Sequence, residues 1–221
     1  MPCGSLLTIP ELFCAMTFSS AVSVLALASL LAGAMGARAQ TEVRQPGNSL
    51  FSAGNHIEYI PGDLPLVLTA PHGGRLQPED MPVRSYGSLD MDANTQELAR
   101  TIAAVLHSAS GRHAHLVICR LHRSRLDANR DLPEAAQGNA AATRAWEDYH
   151  RFIEQACAAA VKTHGVAFLV DLHGHGHKQP RVELGYVHDS LDLSDCRERI
   201  DHPAFAAQGS LALVAAMSPL P

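Results

Sequence analysis

The sequence predicts an α/β domain with a mixed, largely parallel sheet flanked by helices, and three observations predict it. Apolar runs of strand length alternate with longer segments of helical period, in the order strand, helix, strand, helix, strand. Two of the predicted strands run directly into a histidine followed by glycine. The composition, 47% hydrophobic and 18% charged over 221 residues, suits one medium globular domain.

The first 39 residues differ in kind from the rest. Ala21 to Met35 is an uncharged apolar run, followed by Ala37-Arg38-Ala39, a small-x-small pattern of the sort a signal peptidase accepts. The run is shorter than the about 20 apolar residues a membrane span needs. A signal peptide over 1–39 is therefore expected, with an uncleaved anchor as the alternative, although no Lys or Arg precedes the run and Glu11 does. Residues 40–55 are polar with Gly and Pro and predict an extended linker. The domain is expected over 56–221, in a secreted or periplasmic protein.

Within the domain, Ile57 to Ile60 predicts a short strand and Leu64 to Ala70 a buried parallel one, ending at Pro71-His72-Gly73-Gly74. Residues 75–91 carry prolines and no apolar period, which predicts a long loop. Asn94 with Glu97 three places on predicts a capping-box variant, and Leu98, Ile102, Val105 and Leu106 the apolar face of the helix that follows. His115 to Cys119 is the next strand, and residues 121–140 a polar loop. From Ala140 to Lys162 a second helix places Trp146, Tyr149, Ile153, Ala156 and Ala160 on one side, and Gly165 stops it. Val166 to Val170 predicts a buried strand leading into Asp171-Leu172-His173-Gly174-His175-Gly176-His177.

Charge and cysteine usage exclude several classes. Net charge is −5 with histidine neutral, and no basic patch is present to hold a nucleic acid. Loss of residues 1–39 would leave Cys119, Cys157 and Cys196, an odd count at irregular spacing that is no disulfide framework. Cys119 ends an apolar run and reads as a small buried hydrophobe.

Histidine is the unusual residue, with 13 in the chain, all after Gln40. His72 and His173 each follow a strand, and ligands of open α/β sheets bind at the carboxyl ends of strands. A catalytic zinc takes three protein ligands and keeps one position open. Asp92, at the edge of the first helix, is the natural third ligand, with Asp90 in reserve. The competing structural reading has Asp92 capping the helix and each histidine bonding a carbonyl. His175 and His177 alternate with His173 and are expected beside the ligand or facing substrate. Arg123 to Asp131 is rich in Arg, Asp and Asn. An Asn-Arg pair, Asn129 and Arg130, suits the binding of a substrate carboxylate, since Arg offers a planar fork of donors. A solvated loop of surface ion pairs is the alternative.

P-H-G-G at 71–74, D-x-N-T at 92–95, R-x-D-x-N-R at 125–130 and D-L-H-G-H at 171–175 resemble the N-formylglutamate amidohydrolase family, which is similar in fold to the zinc carboxypeptidases and aspartoacylase-like deacylases. The resemblance implies a zinc-peptidase-like fold and a zinc-dependent amidohydrolase acting next to a carboxylate. It implies ligands at His72, Asp92 and His173, and carboxylate recognition by Asn129 and Arg130. Arg125 is then expected to steady an oxyanion. Enzymes of this kind use a late glutamate as general base. Here Glu183 is the only candidate, so the domain is expected to be truncated at its C-terminus. The substrate is expected to be an N-acyl amino acid or small peptide bearing a carboxylate, with no nucleic acid and no stable membrane anchor as partner. The rival functions are a metallocarboxypeptidase or cell-wall peptide amidase, a catalytically impaired zinc-binding homologue, and a structural secreted domain that binds no metal.

Overall fold

In the computed structural model, residues 45–179 and 181–183 are described. The chain divides into two compact units, Ala37–His177 and a second that joins Met1–Gly36 to Lys178–Pro221. The fold below is that of the first. The leader expected over 1–39 and Cys196 lie outside the described residues.

Five strands form one sheet: β1 (Leu50–Phe51), β2 (Ile57–Ile60), β3 (Leu66–Ala70), β4 (His115–Cys119) and β5 (Phe168–Asp171), in the order β1-β2-β4-β3-β5. Three helices accompany them: α1 (Thr95–Ser110), α2 (Leu132–Ala136) and α3 (Ala140–His164). β3 pairs in parallel with β4 and with β5, whereas β2 pairs antiparallel with both β1 and β4. The sheet is thus mixed, as expected, but only half its pairings are parallel. The α/β class stands; "largely parallel" does not. The antiparallel half comes from the short β1–β2 hairpin, too brief to carry an alternation signal. β1 falls inside the segment expected to be a linker, and it is turned into β2 by Gly54 and Asn55 at positive φ.

Successive strand residues face opposite sides, so the sheet feeds two cores. Ile57, Tyr59, Val67, Val117 and Cys119 pack with Ala142, Ala145, Tyr149, Phe152 and Ala156 of α3. Leu68, Ala70, Leu116 and Ile118 pack with Ala99, Ile102, Ala103 and Leu106 of α1. The result is a helix–sheet–helix sandwich. At about 25 cal/mol per Å² of apolar surface removed from water, burial of these two faces is the main favourable term. Ala142, Ala145 and Ala156 let α3 approach the strands closely.

Local signals hold with three exceptions. α3 starts at Asn139, whose side chain accepts from the Ala142 N–H at 2.9 Å, and stops at Gly165 in the left-handed region (φ 75°). Asn94, by contrast, sits at φ 64° with no side-chain cap; Thr95 Oγ1 bonds the Asp92 carbonyl at 3.2 Å instead. On α1 the packed face is made of Ala99, Ile102, Ala103 and Leu106, so Ile102 and Leu106 pack as expected while Leu98 and Val105 are exposed. β5 is exposed over Leu169 and Val170 although its sequence reads as buried. Among the described residues it is an edge strand, paired with β3 alone.

Candidate metal centre

β3 and β5 are parallel neighbours, so their carboxyl ends lie side by side at one edge of the sheet. His72 stands two residues past β3 and His173 two residues past β5. Glycine is required at the first exit. A Cβ on Gly74 would lie 2.2 Å from the Leu121 carbonyl oxygen, and one on Gly73 would lie 2.4 Å from Thr95 Oγ1. No L side chain fits there. The close crossing continues as the Leu76 N–H bonds the Arg120 carbonyl and the His122 N–H the Leu76 carbonyl, at 2.9 and 2.8 Å. It brings the loop after β4 beside His72.

His72 is buried. Its Nε2 lies 2.6 Å from Asp127 Oδ1, within a carboxylate that is itself fully buried. A carboxylate only accepts, so Nε2 carries the ring proton and Nδ1 keeps its lone pair. That Nδ1 is buried with no hydrogen-bond partner and lies 3.4 Å from Asp92 Oδ2. A lone pair facing a carboxylate oxygen makes no bond, which explains why so close a neighbour leaves the nitrogen unsatisfied.

His173 repeats the arrangement. Its Nε2 lies 2.8 Å from Asp171 Oδ2 and its Nδ1 3.2 Å from Asp92 Oδ2. Asp92 Oδ2 also accepts from the Gly174 N–H at 2.9 Å. His72, Asp92 and His173 offer ligand atoms that all lie within 4.8 Å of one another. With zinc bonds of about 2.0–2.1 Å, the edge of a tetrahedral ligand set is about 3.4 Å. The two nitrogen-to-Asp92 separations, 3.4 and 3.2 Å, match it. The donor set and the orphaned His72 nitrogen therefore fit a metal ion, which would rest on His72, Asp92 and His173.

Arg123 and Arg84 face the carboxylates of Asp92 and Asp127. Arg123 Nε bonds Asp127 Oδ2 at 2.8 Å and its Nη1 lies 3.6 Å from Asp92 Oδ1; Arg84 Nη1 lies 3.8 Å from Asp127 Oδ2. Burial alone would push the Asp127 carboxyl up, but the bonds and charges of His72 and Arg123 outweigh it and hold it well below the usual range. Asp92 is also lowered: burial works against ionisation, and the Gly174 N–H with His72 and His173 overcome it. His173 is raised, first by its bond to Asp171, against the effect of burial.

The structure brings together His72, Asp92 and His173. Asp90, the reserve carboxylate, is exposed. Asn129 reaches the site, with its side-chain nitrogen 3.1 Å from His173 Nε2. Arg130 is half-exposed, bonded to the Asn129 carbonyl at 2.9 Å and 3.6 Å from Glu134. Arg125 bonds the Met81 carbonyl at 2.7 Å and Gln77 Oε1 at 3.1 Å, which ties it to the loop over residues 75–91. Glu183 lies in the other unit, where it pairs with Arg181 at 2.5 Å. His175 and His177 are exposed, their ring centroids 5.1 Å apart.

Asp127, Arg123 and Asp171 were not among the expected site residues. The signal for them was available: a histidine that binds a metal donates its other nitrogen to a carboxylate or carbonyl, and both aspartates sit inside the motifs already singled out. No family model, no curated protein and no solved structure matches this chain.

Proposed function

We propose that the protein is a zinc-dependent hydrolase that cleaves an amide bond in an N-acyl amino acid or small peptide. The observation that carries the metal half of this reading is the pair of imidazoles whose Nε2 atoms are tied to Asp127 and Asp171 and whose Nδ1 atoms both turn on Asp92 Oδ2. The amide half rests on the resemblance of the four motifs to the N-formylglutamate amidohydrolases. His72, Asp92 and His173 hold the ion. Zinc in such a site supplies Lewis acidity toward a carbonyl oxygen. Asn129, beside His173, and Arg130, on the exposed side of the same loop, bind the substrate carboxylate. An export signal over residues 1–39 places the protein outside the cytoplasm and argues for a substrate other than N-formylglutamate.

One observation favours a slower variant of this reading. Among the described residues, the acidic groups that bond the two histidines from outside the ligand set are Asp127 and Asp171, each engaged by an Nε2. General acid–base assistance is worth about 10²–10⁴-fold, so turnover that leaves Asp127 and Asp171 on the histidines and draws on no further base would be slow.

The test is zinc content and hydrolysis by the purified full chain. One zinc per chain is expected, lost in His72→Ala and His173→Ala and weakened in Asp92→Asn, with Asp90→Asn as the unaffected control. Release of formate or another acid from N-acyl amino acids, abolished with the metal, supports the amidase. Zinc-free wild-type protein after equilibration with the ion would overturn the reading.

A further inference from the structure

The two imidazoles are held by different kinds of partner. Asp127, which holds His72, is fully buried between Arg123 and Arg84. Asp171, which holds His173, is at the end of strand β5 with its side chain about one-third exposed, and among the described residues no guanidinium pairs with it. What fixes Asp171 is Thr69, the residue paired with it across the β3–β5 register. Thr69 is buried, and its Oγ1 donates to Asp171 Oδ1 at 2.5 Å. The other carboxylate oxygen, Oδ2, then faces His173 Nε2 at 2.8 Å.

His173 Nε2 has two neighbours that make opposite demands. Asn129 Nδ2, a donor, asks it to accept at 3.1 Å, whereas the Asp171 carboxylate asks it to donate at 2.8 Å. A charge-assisted bond is about twice as strong as a neutral one, so the carboxylate decides and the Asn129 amide turns its oxygen to the ring. Nδ1 also faces a carboxylate, Asp92 Oδ2, but at 3.2 Å against 2.8 Å the Asp171 contact is the shorter, so the proton sits on Nε2 and Nδ1 is left facing Asp92.

We infer that Asp171, set by Thr69, is a positioning residue that selects the proton-bearing nitrogen of His173 and so makes Nδ1 its metal-binding atom. This rests on the zinc reading above. It also makes β5 the adjustable half of the site, since its anchor is one hydroxyl rather than two buried guanidinium groups.

The experiment measures two things in the full chain: zinc affinity by chelator competition, and the protonated nitrogen of His173 by ¹⁵N NMR of the zinc-free protein at pH 8. In the wild type the proton is expected on Nε2. Asp171→Ala should bind zinc about 10–100-fold more weakly and lose that preference. Thr69→Val should move both in the same direction, and Thr69→Ser should restore them. Should Asp171→Ala fail to fold, Asp171→Asn, which keeps an acceptor, is expected to hold the proton on Nε2 with zinc about tenfold weaker. Unchanged affinity and tautomer in these variants, with zinc binding intact in the wild type, overturns the positioning role and leaves the zinc site standing. A wild type that binds no zinc but shows the tautomer shift in Asp171→Ala overturns the zinc reading alone.

Discussion

Removing Asp127 tests the buried half of the site most directly. Its carboxylate accepts from His72 Nε2 at 2.6 Å, Arg123 Nε at 2.8 Å and the Asn129 N–H at 3.2 Å, and stands 3.8 Å from Arg84. Asp127→Ala would leave Arg123 and Arg84 facing each other in the interior and His72 with an unpaired N–H. Breaking a buried ion pair in this way costs about 3–5 kcal/mol, set against a total stability of about 5–15 kcal/mol for a domain. Asp127→Asn keeps the shape and one acceptor for His72 but turns an NH₂ toward Arg123, so a loss of about 2–3 kcal/mol is expected. Zinc affinity should fall about 10–100-fold in the Asn variant, because the histidine loses the charge that makes it a better ligand. Urea unfolding with chelator present gives the first quantity. The gain in stability on adding zinc gives the second, about 2.7 kcal/mol for a site at 100 times its Kd. An Asp127→Ala protein within about 1 kcal/mol of wild type, with zinc stabilisation intact, would refute the reasoning.

Two further perturbations follow from the fold. His115 is buried and its Nδ1 accepts from the Gly62 N–H at 3.0 Å with the Tyr59 hydroxyl at 3.1 Å, and burial depresses its pKa from 6.5 to about 4. Between those values the unfolded chain binds the extra proton, so the contribution is full above about pH 6.5 and is lost as pH falls to about 4, a change of roughly 3 kcal/mol. His115→Gln should flatten the wild type's loss of stability between pH 7 and 5 in urea titrations, and an unchanged slope would sink the assignment. Gly74→Ala puts a Cβ 2.2 Å from the Leu121 carbonyl oxygen. Backbone cannot yield as a flexible side chain would, so about 3 kcal/mol of destabilisation and loss of zinc binding are expected, measured by thermal unfolding and metal content.

The parts legible in the sequence were those whose signal is local. β3, β4 and α3 announce themselves because Leu66 to Ala70 and His115 to Cys119 are continuous apolar runs and α3 carries a stripe of alanines with Tyr149. His72 and His173 were legible because a strand ends immediately before each. β1 was not, since two residues cannot show a period. α2 was hidden because Leu132–Ala136 lies among charged residues and takes its Pro at the helix start. The exposure of β5 depends on how many strands pair with it, which no apolar run reveals. The same holds for Asp127. It lies 55 positions from His72, and beside Arg123 and Arg125 its charge reads as solvated loop. Its burial depends on contacts distant in sequence, with His72 and Arg84 among them.

The two ligand arms also differ. His72 follows β3, paired on both sides, and its Asp127 anchor is enclosed by two arginines, so this arm is set before any ion arrives. His173 follows β5, paired among the described residues on one side, and stays about one-third exposed. Asp92, between the arms, is fixed by backbone: its N–H bonds the His72 carbonyl at 3.1 Å, its carbonyl takes Thr95 Oγ1, and its Oδ2 takes the Gly174 N–H. An ion bound to all three would tie the exits of β3 and β5 to the start of α1. Because it would bind the closed arrangement and not the open one, its binding energy would add to the stability of the edge strand, where local opening is otherwise easiest. The two arms therefore differ in exposure as well as in anchoring: the His72 side chain is buried, whereas that of His173 is about one-third open to solvent.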